Sequence, residues 1–407
     1  MSDAAGELPS AGPRRARRGY GWFLASSCSW FTSHGVNQVM LPWLVVGELR
    51  ASPEWTGTVQ MLATLPYLLL LLVGGAVADR REARSVLGAL HALAMAPPLF
   101  LALAIAHGSL SIPVVAAAAM SMAVLGAFAH PARDSLLSQV AGGDVMRAVT
   151  GNTIAQFGSQ GVGMALAGAA RWAGSPPVLA LQALCVALGA LAAPRLPPRT
   201  AASAARRAAA PGDIAAGLRF VLKSDLRAVL ILVFGIGLTF NGSYYVLLPL
   251  LVRDVYGGDV SDVSLLLAVF PLGTIGGSLI LLARGGIRRK GRSLVASLAA
   301  AALCLIVAGC GLPFAAVVAT TFAWGLAGSV FLNTSRTLFQ ERAPDAWRAR
   351  VLSMNQLGFT AAGPIGALAS GFAAAHLGPE TALAVSGLGM LALVTAVTLA
   401  TGVARME

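Results

Sequence analysis

In a chain with 57% hydrophobic and 11% charged residues, a few polar side chains stand out by their spacing. His34, Asn37, Gln38 and Leu41 fall at i, i+3, i+4 and i+7, a single helix face. Asn241, Tyr244, Tyr245 and Leu248 repeat that spacing 207 residues later. Polar side chains in hydrocarbon must turn toward a partner or a wet cavity. Two matched faces therefore point to one shared cavity lined by amides, phenols and an imidazole. Any one of these residues could instead bond a neighbouring helix, a contact worth about 0.6 kcal/mol; the matching favours the cavity. Gln156 and Gln160 join the set from another apolar segment, whereas Asn152 and Asn355 sit nearer segment ends and suit capping or packing. His34 is the member that changes charge near neutral pH, which makes it the candidate for proton exchange.

A second constellation is charged. Gly75-Ala76-Val77-Ala78-Asp79-Arg80 closes one apolar run, and Arg81, Glu82 and Arg84 precede the next. These charges cannot enter hydrocarbon, and the small residues let helix ends approach closely, so the stretch forms a tight turn between two spans. A tight, charged turn of this kind could latch two sliding helical bundles; the plainer role of the same charges is to stop transfer and mark one side of a membrane.

The elements that must position these residues follow from the charge pattern. Removing Asp, Glu, Lys and Arg leaves ten long windows: 19–47, 55–78, 85–132, 148–170, 172–194, 228–252, 263–283, 293–335, 351–379 and 381–404. A spanning helix needs about 20 residues. Windows 85–132 and 293–335 are twice that length and break at His107-Gly108-Ser109 and between Gly309 and Pro313. The count is thus twelve transmembrane helices in an all-α membrane protein. With both termini cytoplasmic, 26 of the 29 Lys and Arg fall inside, leaving only Arg50, Arg171 and Arg253 outside. A cytoplasmic tail covers residues 1–18, with no cleavable signal. A six-helix bundle covers 19–194, a cytoplasmic linker 195–227 and a second six-helix bundle 228–404. In the linker, Asp213 to Arg227 has helical spacing of apolar and basic residues and suits the inner membrane surface.

The two bundles repeat. Leu41-Pro42 matches Leu248-Pro249, and Pro66 matches Pro271. Arg133, Arg147, Asn152, Gly163 and Gly168 match Arg336, Arg350, Asn355, Gly366 and Gly371 at one offset of 203. Parallel six-helix repeats are a plan of secondary transporters, with the substrate near the midplane between them.

Gly75, Asp79, Arg80, Arg84 and Leu87 resemble motif A of the major facilitator superfamily, with Glu82 and Ala83 departing from it. With Leu41-Pro42-Trp43-Leu44, His130-Pro131-Ala132-Arg133 and Pro364-Ile365-Gly366, the chain resembles the enterobactin-exporter-like group of that family. The similarity runs from about Gly21 to Val403. It implies a major facilitator fold in the cell inner membrane and a gating role for Gly75, Asp79, Arg80, Arg133 and Arg350, in which Asp79 meets the positive end of the helix that starts near Arg350 with Arg133 or Arg350 as charged partner. It also implies proton-coupled export by a monomer of a drug, secondary metabolite or siderophore.

Residue chemistry narrows this further. None of the 17 acidic residues lies mid-span, so proton antiport comes from the resemblance and not from a buried carboxylate. No Lys or Arg is visible mid-span either, which suits a neutral or amphipathic organic substrate. The basic residues are scattered between spans and form no nucleic-acid face. Walker, HExxH and Cys/His metal spacings are absent, so no enzyme, metal or cofactor is implied. Cys28, Cys185, Cys304 and Cys310 read as packing residues, His91 as a satisfied packing residue, and Phe31, Trp324 and Phe331 as core aromatics that could also face a substrate. A gradient-driven facilitator and a transport-inactive sensor are the rival readings.

Overall fold

Glycine and proline punctuate the helices where the long windows break. In the computed structural model, which describes residues 13–140, 145–196, 198, 214–284, 287, 289–344 and 348–406, nearly every apolar run is a helix. The first half comprises α1 (Pro13–Trp43), α2 (Pro53–Arg80), α3 (Ala83–Leu93), α4 (Ala96–Ala106), α5 (Ile112–Val140), α6 (Val145–Gly168) and α7 (Ser175–Ala192). A shorter helix, α8 (Ile214–Lys223), lies in the linker. The second half comprises α9 (Leu226–Gly242), α10 (Leu248–Asp254), α11 (Val260–Ala283), α12 (Lys290–Ala308), α13 (Phe314–Arg342), α14 (Arg348–Leu377) and α15 (Pro379–Ala400). Among the described residues, nine helical stretches are long and apolar enough to cross a membrane.

Both breaks expected in the double-length windows are present. Gly108 and Gly311 take positive φ at +66° and +70°, a conformation that favours glycine, and so turn the chain between α4 and α5 and between α12 and α13. A further interruption, at Ala94-Met95, was not expected. Pro97 and Pro98 supply no backbone N–H to the preceding turn, so α3 and α4 are separate pieces of one rod. The first helix starts earlier than the expected boundary at residue 19, at Pro13.

The halves have matching interiors. In the first, α1 packs on α6 and α2 on α5; in the second, α9 packs on α14 and α11 on α13. Across the halves, α2 meets α14 and α6 meets α11. Small residues permit the close approaches. A side chain at Gly163 would strike the Thr32 carbonyl, and one at its repeat partner Gly366 would strike the Leu238 carbonyl. A central apolar core draws on both halves, with a separate cluster inside each.

The halves are clasped at one end, formed by the α1–α2, α6–α7 and α10–α11 connections. Gly57 and Gly371 bring α2 and α14 together, and Gly168 meets Ser264 of α11. Ser264 donates its hydroxyl to the Met164 carbonyl at 2.7 Å. Arg253 donates to the carbonyls of Val46 and Ala51 at 3.1 and 2.8 Å. Arg171 pairs with Asp259 at 3.2 Å and donates to Ser261 at 3.3 Å. A further contact between the halves, Gln38 to Tyr245, lies where α1 crosses the turn that follows α9.

Candidate functional site

At that crossing, the sequence places amides and a phenol at repeat-related positions, and the fold joins them. Gln160 of α6 donates through Nε2 to Gln38 Oε1 at 2.6 Å. Gln38 of α1 donates through Nε2 to the Tyr245 hydroxyl at 2.8 Å. One polar chain therefore links both halves, and every group in it is partnered, as polar side chains away from water require.

A cavity lies on each side of this crossing. The first, about 320 Å³, is lined by His34, Asn37, Tyr67, His130, Asn241 and Gln356 among others. The second, about 510 Å³, lies between α6 and α11 and is mostly apolar, with Gln160, Phe240, Tyr244, Tyr245, Phe270 and Thr274 in its wall. Among the described residues, no Asp, Glu, Lys or Arg lines either cavity.

The polar face on the second half is reshaped by backbone geometry. Residues Ser243–Leu247 form a π-helical turn, in which hydrogen bonds run i to i+5. The extra residue breaks the 3.6-residue spacing from which one continuous face was expected. Asn241 lines the first cavity, and Tyr244 and Tyr245 line the second; Tyr244 is 2% exposed and donates its hydroxyl to the Leu267 carbonyl. Asn241 also donates to its own helix, at the Gly237 carbonyl. Around them Phe240 contacts the rings of Tyr244, Tyr245, Phe270, Trp324 and Phe359 at centroid distances of 4.9–6.0 Å. Phe31, Trp324 and Phe331 are buried.

Other expected positions separate from this centre. Gln156 is half-buried on α6 and lines neither cavity. Asn152 and Asn355 are repeat partners, and each keeps one buried amide atom without a hydrogen-bond partner among the described residues. His91 is fully buried, with its ring nitrogens at the Leu87 and Ser26 carbonyls, 2.8 and 3.3 Å away. The cysteines are unbridged. The side chains at Gly75, Asp79 and Arg80 lie outside the described residues. Arg350 packs its Cβ and backbone near Gly217 of α8.

The sequence shows no Lys or Arg mid-span, yet Arg133, near the end of its apolar window, is buried within the bundle. This residue is 3% exposed, and its three guanidinium nitrogens have no hydrogen-bond partner among the described residues. Its Cζ lies 4.8 Å from the Phe31 ring centroid and 5.2 Å from that of Trp30. Desolvated cation–π contacts are worth about 2 kcal/mol each, less than the several kcal/mol that burying an unpaired ion costs. The repeat partner Arg336 is exposed. The rings explain the difference: the positions 207 residues beyond Trp30 and Phe31 are Gly237 and Leu238, which offer no aromatic face. Sequence reading missed this because Arg133 sits near the end of an apolar window and reads as a boundary charge. His130, which lines the first cavity and meets Tyr67 ring to ring at 5.6 Å, was likewise read only as part of a motif.

The fold has solved counterparts. A variant of the nucleoside transporter NupG superposes with a TM-score of 0.74 at 16% identity, covering 94% of this chain and 99% of that one. A bacterial homologue of the human lysosomal transporter Spinster, in an inward-facing, occupied conformation, gives 0.69 at 16% identity over 97% of each chain. The D-xylose-proton symporter gives 0.66 at 13% identity, covering 94% and 96%. At these identities the likeness shows the fold, that of major facilitator transporters. No curated protein sequence matches the chain. The family model described as transmembrane secretion effector matches residues 22–407. The chain thus belongs to the transmembrane secretion effector family of major facilitator membrane transporters.

Proposed function

We propose that this protein is a secondary transporter of twelve spans, with both termini cytoplasmic, that exports a small amphipathic organic compound by alternating access. The observation that carries the reading is the Gln160–Gln38–Tyr245 chain at the crossing of the halves, flanked by two cavities and set below a clasped end. The positive-inside pattern assigns the clasped end, with Arg50, Arg171 and Arg253, to the outside. The described conformation is then outer-closed. Asp79, Arg80 and Gly75 would close the inner mouth in the opposite state, with Arg133 or Arg350 as partners. Asn37, Asn241, Tyr244 and Tyr245 complete the substrate-facing set.

Proton antiport is proposed through His34, which lines the first cavity. The drug- and siderophore-exporting branch is the substrate reading that the sequence resemblance favours. The test compares susceptibility and accumulation across an amphipathic compound panel in an overexpressing strain and a deletion strain. Lower accumulation on overexpression is expected; identical panels would defeat the exporter reading. In vesicles carrying a pH gradient, His34→Gln is expected to abolish driven efflux, and intact efflux would remove His34 as the coupling site.

A further inference from the structure

The cavity with the imidazoles has an unbalanced charge environment. His34 of α1 and His130 of α5 line it, and both lie within electrostatic reach of Arg133. Arg133 stacks on Trp30, itself part of the cavity wall. Its guanidinium is closed off from solvent behind that wall, and no described carboxylate bonds to it. The neighbouring Asp134 lies within electrostatic reach of Arg133 and of Tyr67 but makes no hydrogen bond to the guanidinium, and no acid is among the described residues that line either cavity. A buried cation with no carboxylate bonded to it projects its field into the adjacent low-dielectric space. The imidazole N–H groups can add hydrogen bonds to an acceptor placed there.

We propose that the first cavity is a subsite for the anionic head of an amphipathic substrate, a carboxylate, sulfonate or phenolate. Arg133 supplies the field, His34 and His130 supply hydrogen-bond donors, and the Trp30 and Tyr67 rings cover the apolar body. This rests on the exporter reading and narrows it, since a neutral head gains nothing from the buried cation and a cationic head is repelled. The repeat-related region of the second half lacks the device, because Arg336 is exposed and the residue matching His130 is Asn333. The anion preference is therefore a property of the first half alone.

The test uses two probes that share one ring system: anilinonaphthalenesulfonate, which is anionic, and N-phenylnaphthylamine, which is neutral. Binding is read as tryptophan-to-naphthalene energy transfer in phosphatidylcholine nanodiscs, with empty discs subtracted. The component lost in Trp30→Phe assigns the signal to this cavity. The expected result is at least tenfold tighter binding of the sulfonate, a preference lost in Arg133→Gln and kept in Arg133→Lys. Equal binding of both probes to the wild-type protein overturns the anion subsite and leaves the amphipathic-cavity reading standing. Absence of a Trp30-dependent signal from either probe overturns both. If Arg133→Gln does not yield monodisperse protein, the two-probe comparison on wild type and Arg133→Lys still decides, because loss of the preference in Lys overturns the role of the charge.

Discussion

Replacing Gly371 with alanine tests the clasped end most sharply. A Cβ at this position would lie 2.6 Å from the Pro53 carbonyl oxygen and 2.8 Å from the Gly57 Cα, both backbone atoms that cannot rotate away. Overpacking of this kind costs about 1–3 kcal/mol. The penalty applies only while α2 and α14 touch, so it falls on the outer-closed state alone. The ratio of outer-open to outer-closed molecules should then rise roughly 5- to 150-fold. Gly168→Ala should shift it less, because its Cβ would meet the Ser264 Oγ at 3.0 Å and Cβ at 3.2 Å, and a serine side chain can yield. Spin labels at His107→Cys and native Cys310, both exposed and in connections at the clasped end, report the separation by pulsed dipolar spectroscopy once the other cysteines are replaced. A longer-distance population is expected for Gly371→Ala, and a smaller one for Gly168→Ala. Identical distributions in all three proteins would refute the assignment of this contact as a gate.

The same spin-label pair checks the ion pair. Partial burial pushes the Asp259 carboxyl up, but bonds from the Ser261 hydroxyl and amide and the Arg171 guanidinium outweigh it and hold the carboxyl below its ordinary range. A depressed carboxylate contributes above its ordinary pKa and loses that contribution as pH falls through the depressed value. The clasp should loosen only in acid, and Asp259→Asn should reproduce the loosening at neutral pH. Because the pair is exposed, the shift should be below about 1 kcal/mol; an equal shift at all pH values would contradict the assignment. Gln38→Leu removes the shared partner of Gln160 and Tyr245 and should lower unfolding stability by about 1 kcal/mol. Unchanged unfolding in nanodiscs would show that the polar chain contributes nothing. Asp79→Asn should increase labelling of cysteines at the inner mouth and reduce transport, and wild-type labelling with wild-type transport would remove the inner latch.

Much of the fold was legible because lipid imposes simple rules on length and charge. Gly108 and Gly311 turn the chain where the long windows break, and the equal offsets of Gly163 with Gly366 and of Gly168 with Gly371 mark equivalent helix contacts. The Gln38–Tyr245 contact could be anticipated from two matched faces. What was not legible depends on local geometry that spacing does not carry. The π-helical turn at Ser243–Leu247 holds Tyr244, whose hydroxyl bonds the Leu267 carbonyl, and nothing in a regular period announces it. Arg171 and Arg253 read as exceptions to a topology rule, yet they join the halves. Arg133 and Arg336 are equivalent in the repeat and opposite in environment, because the rings that stack on Arg133 come from α1 and have no counterpart on α9.

The central claim is a cavity between the halves that one face of the membrane reaches while the clasped end is shut. A cysteine at Thr64, in the wall of the first cavity, reports this directly in a background without the four native cysteines. A membrane-impermeant maleimide should label it in inside-out vesicles and spare it in right-side-out vesicles, and adding Gly371→Ala should open labelling from the second side. Labelling from the outer face alone without that glycine change, or from neither face in either protein, would contradict it.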